Sequence, residues 1–303
     1  MSDIKLFDIS GAEAKMLEGR SVSLEKSLQT MMENNFESLL GVTFLASEYS
    51  TNASHGGRLD TLGIDENGCP VIIEYKRSSN ENVMNQGLFY LDWLLDHKAE
   101  FELLVLKKLG EEKSEAIDWS GSRVLCIAGN FSKYDSHAVK QINRNIELIR
   151  YQVFDDWLLM LELVNRVTAA QSSGSNSSAG GSKQTYKGVS EYLADADQEL
   201  VDRYEELKAF LNGLGDDVAF NVKRFYFAFR RIKNFACVEL RVSTNELVIY
   251  IKVPPSSIEL EEGFTKDVSN IGHFGTGDLE VRLKDRADFE RAKPLFEKSY
   301  ELS

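Results

Sequence analysis

The chain has no apolar run near the roughly 18 to 20 residues that span a bilayer. Its opening, MSDIKLFDISGAEAK, has no apolar segment after a basic start. Both absences make a cytoplasmic protein with no signal peptide and no membrane partner the expectation. Cysteine is scarce: Cys69, Cys126 and Cys237 are odd in number and far apart, which argues for reduced thiols and against a disulfide framework or a zinc site. Among the histidines, His97, His137 and His273 show no metal-ligand spacing, and His55 stands alone in a loop, SHGG. No Ser/His/Asp or Cys/His arrangement is visible. Gly56-Gly57 reads as a turn, with no phosphate-cradling P-loop around it. Positive charge is also in deficit: 35 Lys+Arg against 48 Asp+Glu leave a net charge of −13. Such a chain does not coat nucleic acid through bulk electrostatics, because phosphate neutralisation needs Lys and Arg. A catalytic cleft is still allowed, since it needs carboxylates and only a local basic track.

What is present begins with a boundary. In QSSGSNSSAGGSKQ (Gln171–Gln184) nine of fourteen residues are Ser or Gly, so the segment cannot bury a core and reads as a tether. The organisation expected is a first domain over 1–168, a linker over 169–187 and a second domain over 188–303.

In the first part, Leu24, Leu28, Met31 and Met32 fall at helical spacing, with Ser21 as the expected cap. Strands are expected at Thr43–Tyr49, Arg58–Asp65 and Pro70–Lys76, the last two joined by a turn at Glu66-Asn67-Gly68. Val83, Leu88, Leu91, Leu94 and Leu95 predict one long helix from Asn80 to about Lys108. A strand over Arg123–Gly129, a helix over Ser136–Asn143, a strand over Ile146–Phe154 and a helix over Trp157–Val167 complete this part. That order implies an α/β fold with a mixed sheet flanked by helices. The second part reads as smaller and α+β. It has helices within Val189–Leu211, strand-like runs at Val218–Arg230, Phe235–Val242, Leu247–Val253 and Leu279–Leu283, and a helix over Asp288–Tyr300.

The chemistry is concentrated in RLDTLGIDENGCPVIIEYKRSSNENVMNQGLFY, residues 58–90. On a strand, residues two apart share a face, so Ile72, Glu74 and Lys76 project together from an otherwise apolar run. Asp60, on the preceding strand of the hairpin, brings a second carboxylate alongside. Two carboxylates and a main-chain carbonyl suit a hard ion such as Mg²⁺ or Mn²⁺. Such an ion polarises a phosphodiester and acidifies an attacking water, and a neighbouring lysine orients that water or meets developing charge. The plain alternative is a cross-strand ion pair on a solvated face.

Asp60, thirteen residues and then Glu74-x-Lys76 resemble the PD-(D/E)XK motif, although Leu59 stands where that motif has proline. Gln86 and Tyr90, four residues apart on one helical face, resemble the signature of the RecB-like and NucS-like branches. The resemblance covers roughly residues 20–155 and implies a restriction-endonuclease-like αβββαβ core and a metal-dependent nuclease, with DNA the favoured substrate. It implies Asp60, Glu74 and Lys76 as the catalytic centre, with Gln86 and Tyr90 lining it. Asp60, Glu74, the Tyr75 carbonyl and an acid of the first helix, best met by Glu25, would hold Mg²⁺ or Mn²⁺. Glu33 and Glu37 read as surface charges. Double-strand cutting would need two such centres, which makes a homodimer one expectation.

Arg58 and Arg77 flank this site as phosphate contacts or, equally, as strand-end surface charges. In the second part, KRFYFAFRRIK holds Lys223, Arg224, Arg230 and Arg231 among aromatics. The basic residues are candidates for phosphate, while the aromatics read as core. NFACVELRVSTNELVIYIKV and GTGDLEVRL resemble a small domain of unknown function appended to restriction-like nucleases. Substrate grip or contact with a protein partner would be its role. The competing reading of the whole chain is a catalytically inactive nuclease-fold module that binds nucleic acid or protein.

Overall fold

The computed structural model describes residues 4–22, 24–51, 56–77, 82–167 and 188–303, so His55 and the Ser/Gly-rich stretch lie outside the described residues. The chain divides into two compact units, Met1–Ser173 and Gly174–Ser303.

The first unit opens with a ribbon of β1 (Leu6–Asp8) and β2 (Lys15–Leu17), then β3 (Gly19–Arg20), α1 (Glu25–Glu33) and α2 (Phe36–Leu40). A hairpin meander of β4 (Val42–Ser50), β5 (Arg58–Asp65) and β6 (Pro70–Lys76) follows. Helices α3 (Asn82–Asp96), α4 (Lys98–Leu109) and α5 (Glu111–Glu115) lead to β7 (Arg123–Ala128), which lies parallel to β6. After α6 (Lys133–Lys140), β8 (Ile146–Phe154) adds parallel to β7, and β9 (Leu158–Val167) returns antiparallel on β8. Among the described residues this is a mixed sheet in the order β3-β8-β7-β6-β5-β4, with β9 branching from β8.

Alternation decides which residue faces which layer. Leu62, Ile72, Val124, Cys126 and Leu148 join Leu91, Leu94, Phe101, Val105 and Val139 in one core under α3, α4 and α6. Thr61, one residue from Leu62, bonds instead to Glu33 of α1, so α1 packs on the opposite face. The β5–β6 turn is shaped by Asp65, whose Oδ1 accepts from the amides of Asn67 and Cys69 at 2.8 Å each. Gly68 has φ +74°, and a Cβ there would meet the Ala116 carbonyl. The other oxygen of Asp65 pairs with buried Arg123, whose Nε lies 3.6 Å from Glu147. A closed charge network thus ties β5, β7 and β8.

Several expectations need correction. The expected helix over Trp157–Val167 is instead the strand Leu158–Val167: Asp155 and Asp156 take φ +48° and +63° and turn the chain back onto β8. The dense LLMLELV run shows no clean alternation, which hides the strand from pattern reading. The long helix breaks at His97, which leaves helical geometry and stacks on Trp93 at 4.9 Å. The sixth helix starts three residues early, because Ser132 and Asp135 form a capping box. Ser21 does not cap α1, whose N-cap is Leu24.

The second unit comprises α7 (Val189–Asp195), α8 (Gln198–Asn212), an antiparallel sheet and α9 (Arg286–Glu301). Its strands are β10 (Ala219–Val222), β11 (Phe227–Arg230), β12 (Asn234–Arg241), β13 (Glu246–Ile251), β14 (Thr265–Asp267) and β15 (Leu279–Leu283), in the order β10-β11-β12-β13-β15-β14. The expected single run at Val218–Arg230 is a hairpin, closed where Lys223 N donates to Tyr226 O at 2.9 Å. Strand β14 has no counterpart in the pattern; three residues carry too little of it. Leu200, Tyr204, Leu207, Phe289 and Phe296 pack against Phe227, Phe229, Phe235 and Val281 to form the core. No helix among the described residues is long and apolar enough to cross a membrane.

Candidate active site

Strand β6 is buried on both faces except at Lys76, so any charge on it needs a specific reason. Glu74 is only 2% exposed. The β5–β6 ladder runs from Ile64–Pro70 to Thr61–Ile73, and one further step sets Asp60 opposite Glu74. There the side chains take over the hydrogen bonding. Asp60 N donates to Glu74 Oε1 at 3.2 Å, and Tyr75 N donates to Asp60 Oδ2 at 3.0 Å. Each carboxylate is held by an amide of the other's strand.

Burial pushes the Glu74 carboxyl up to about 8, and the neighbouring Asp60 charge adds to this. Burial likewise raises Asp60, against the pull of the Tyr75 amide and Lys76. Among the described residues neither carboxylate has an ion-pair partner; Lys76 Nζ lies instead 3.8 Å from Glu25 Oε2. Two adjacent carboxylates, one buried and one half-buried, with no ion pair to either, are unfavourable together. Either a proton or a bound cation relieves them.

Lys76 is placed at the mouth of this pair, its side chain 16% exposed. Glu25, in the first turn of α1, faces the lysine and accepts from Arg77 N at 3.2 Å. Among the described residues no group of three or more His, Cys, Asp or Glu is arranged to hold an ion, so Glu25 does not join Asp60 and Glu74 in one cluster. Arg77 continues from Lys76 at the strand end, and its carbonyl accepts from Tyr151 Oη at 3.4 Å. The Tyr75 ring is buried, and Thr61 and Glu33 of the α1 side are among the groups that act on its hydroxyl.

The two residues expected from α3 separate. Tyr90 is buried, and its Oη accepts from Arg58 N at 3.2 Å, two residues before Asp60. This contact depends on Gly57, where a Cβ would come within 2.6 Å of the Tyr90 ring. Gln86 is exposed, and its side chain makes no hydrogen bond with a described residue. Gly87, beside it, lets α3 lie directly on β7, since a Cβ there would meet Val124 at 2.4 Å.

Three residues of the site escape sequence reasoning. The ladder pairs Ser47 with Thr61 and Tyr49 with Leu59, which sets Glu48 opposite Asp60 on the other flank of β5. Glu48 has φ +54°, a left-handed conformation rare for this residue type. Its Oε1 accepts from Lys26 at 3.0 Å and its Oε2 pairs with Arg58 at 2.6 Å. The Lys26 bond is the main cause that holds the Glu48 carboxyl below its ordinary range. Gln29 donates to the Asp60 carbonyl at 2.7 Å and to Ser47 and Glu33. Glu33 is therefore not a plain surface charge: it also accepts from Thr61 Oγ1 at 2.6 Å. Nothing in the hydrophobic pattern marks Glu48, Lys26 or Gln29, because their roles depend on pairing between elements.

In the second unit, Phe227 and Phe229 are core, as the aromatic pattern implies. Lys223 and Arg230 are buried, and Arg231 pairs with Asp217 at 2.7 Å. Arg224 alone of the four candidates is exposed, with its guanidinium over the Phe225 ring.

A family model, the domain of unknown function DUF5655, matches residues 189–303, which accords with the resemblance of that half. Over nearly its full length the chain is 29% identical to an uncharacterized protein of Haemophilus influenzae, covering 98% of this chain and 99% of that one. Among solved structures, a repair endonuclease from Pyrococcus abyssi is similar at 17% identity over 43% of this chain and 47% of its own, with a TM-score of 0.29. A complex of EndoMS with double-stranded DNA is similar at 16% identity, over 45% of this chain and 50% of its own, with a TM-score of 0.26. The chain thus spans about half the length of these solved proteins.

Proposed function

We propose that the first unit is a divalent-metal-dependent nuclease of the PD-(D/E)XK class that hydrolyses phosphodiester bonds, with DNA the favoured substrate. The observation that carries this reading is the Asp60–Glu74 pair: a half-buried and a buried carboxylate, braced by backbone amides and without an ion-pair partner among the described residues, with Lys76 two residues beyond Glu74. The donor set fits Mg²⁺ or Mn²⁺, which take one or two carboxylates and keep several waters. Asp60, Glu74 and the Tyr75 carbonyl would hold the ion, which supplies Lewis-acid polarisation of a phosphoryl oxygen and a more acidic water. Lys76, a donor only, holds the attacking water by its oxygen and meets charge developing on the phosphate. Glu25, 3.8 Å from that ammonium, holds it in place. Tyr90 fixes the start of β5, and hence Asp60, while exposed Gln86 is free to meet the substrate strand.

One observation favours a second reading, an inactive module that binds nucleic acid or protein on the same fold. Glu25 stands against Lys76 and leaves the metal only two carboxylates.

Cleavage of labelled single-stranded, duplex and branched DNA and of RNA separates the two readings. It would be run with Mg²⁺, Mn²⁺ or EDTA, for the parent chain and Lys76→Ala. Metal-dependent cutting that falls by about 10²–10³ in the variant supports the nuclease. A folded chain that binds these substrates and cuts none supports the module.

A further inference from the structure

Glu48 has no place in the chemistry just described, yet three separate features converge on it. It faces Asp60 across the β4–β5 ladder. Its backbone is held in a conformation that costs energy, and such outliers concentrate at functional sites. Each of its carboxylate oxygens holds one cation: Lys26 from α1 and Arg58 from the first residue of β5. Those cations are 59% and 65% exposed, so each ion pair faces water and is weak. Arg58 is two residues from Asp60, and Lys26 is joined to the Asp60 carbonyl through Gln29.

A carboxylate bridging two exposed cations beside the Asp60–Glu74 pair resembles, in charge and in oxygen spacing, a phosphate held between them. A phosphodiester brings comparable oxygens and needs no strained backbone to present them. Resting on the nuclease reading, we infer that Lys26 and Arg58 grip a backbone phosphate of the nucleic-acid substrate, and that Glu48 occupies this grip when no substrate is bound. Glu48 is thus an internal competitor that keeps the two cations together beside Asp60 and makes non-specific binding weaker. Its role is positioning; it touches neither the scissile bond nor the Asp60–Glu74 pair.

The test is fluorescence anisotropy of labelled duplex and single-stranded DNA in EDTA, where cleavage does not enter, over a range of salt. The proteins are the parent chain, Glu48→Gln, Lys26→Ala/Arg58→Ala, and the triple variant. Glu48→Asn serves as a second neutral form, because asparagine accepts the left-handed backbone more readily. Thermal melts confirm that each is folded. The expected result is several-fold tighter binding by Glu48→Gln and Glu48→Asn. Lys26→Ala/Arg58→Ala binds more weakly, with a salt slope on duplex reduced by roughly 1, as the loss of one phosphate contact requires. In the triple variant most of the gain from Glu48→Gln is gone. Equal gains in both backgrounds, unchanged binding by the neutral variants, or no binding by any protein would overturn the inference. A chain that shows this pattern but never cuts retains the grip and loses the nuclease reading. A chain that cuts without the pattern does the reverse.

Discussion

Asp60 and Glu74 lie opposite each other at the point where the β5–β6 ladder stops, and each carboxylate accepts a backbone amide of the other's strand. The arrangement makes the position of each carboxylate a property of the sheet, not of a loop. It also sets the buried Glu74 carboxyl beside a like charge, and the first consequence is a dependence on pH.

The Glu74 carboxyl is raised by burial to about 8, well above its value in an unfolded chain. Between roughly pH 4.5 and 8 the folded chain therefore binds more protons than the unfolded one, and stability falls as pH rises through that window. At about 1.4 kcal/mol per unit of pKa, the loss amounts to a few kcal/mol. Thermal unfolding in EDTA should show the melting temperature dropping from pH 5 to 8.5. Glu74→Gln should flatten that profile and be the more stable protein at pH 8.5. A parallel decline in both would show that another group is responsible.

Gly57 and Tyr90 should behave as a coupled pair. A Cβ at residue 57 meets the ring at 2.6 Å, so Gly57→Ala should cost about 1–3 kcal/mol by overpacking. Tyr90→Phe keeps the ring and loses only the bond from Arg58 N, and should cost about 0.5–1.5 kcal/mol. Denaturant unfolding of Gly57→Ala, Tyr90→Ala and Gly57→Ala/Tyr90→Ala measures the coupling. Additive costs would mean that the ring is not what limits residue 57.

Asp65 and Arg123 stand at the turn end of β5, away from Lys76, and are buried together. Asp65→Ala leaves the guanidinium without its nearest charge and also frees the amides of Asn67 and Cys69. A loss of roughly 3–5 kcal/mol is expected. Cleavage per folded molecule should stay close to that of the parent, since the turn network does not touch the carboxylate pair. Urea unfolding alongside the nuclease assay reads both quantities.

Much of the site is legible in the amino-acid sequence. Strands 58–65 and 70–76 match their expected bounds to the residue, because alternation, β-branched content and an Asn-Gly turn all agree there. Glu74 is conspicuous as a charge inside an apolar run. The α3 partners are legible only as spacing: one is buried against β5 and the other exposed. Residues 157–167 mislead, because a strand on the sheet margin, half-buried nearly throughout, carries no period-two signal. Glu48 is invisible for a different reason. Its position depends on a left-handed backbone and on cations from two other elements, and no local pattern encodes either.

If Asp60 and Glu74 together form a divalent-ion site, as the nuclease reading requires, the ion must bind through both carboxylates. Calorimetric titration of Mn²⁺ into the parent chain, Asp60→Asn and Glu74→Gln tests this most directly. Saturable binding by the parent that is abolished or weakened by at least about tenfold in each variant, a loss of roughly 1.4 kcal/mol or more, is the predicted result. Binding that survives both substitutions, or no binding by the folded parent, would contradict the claim.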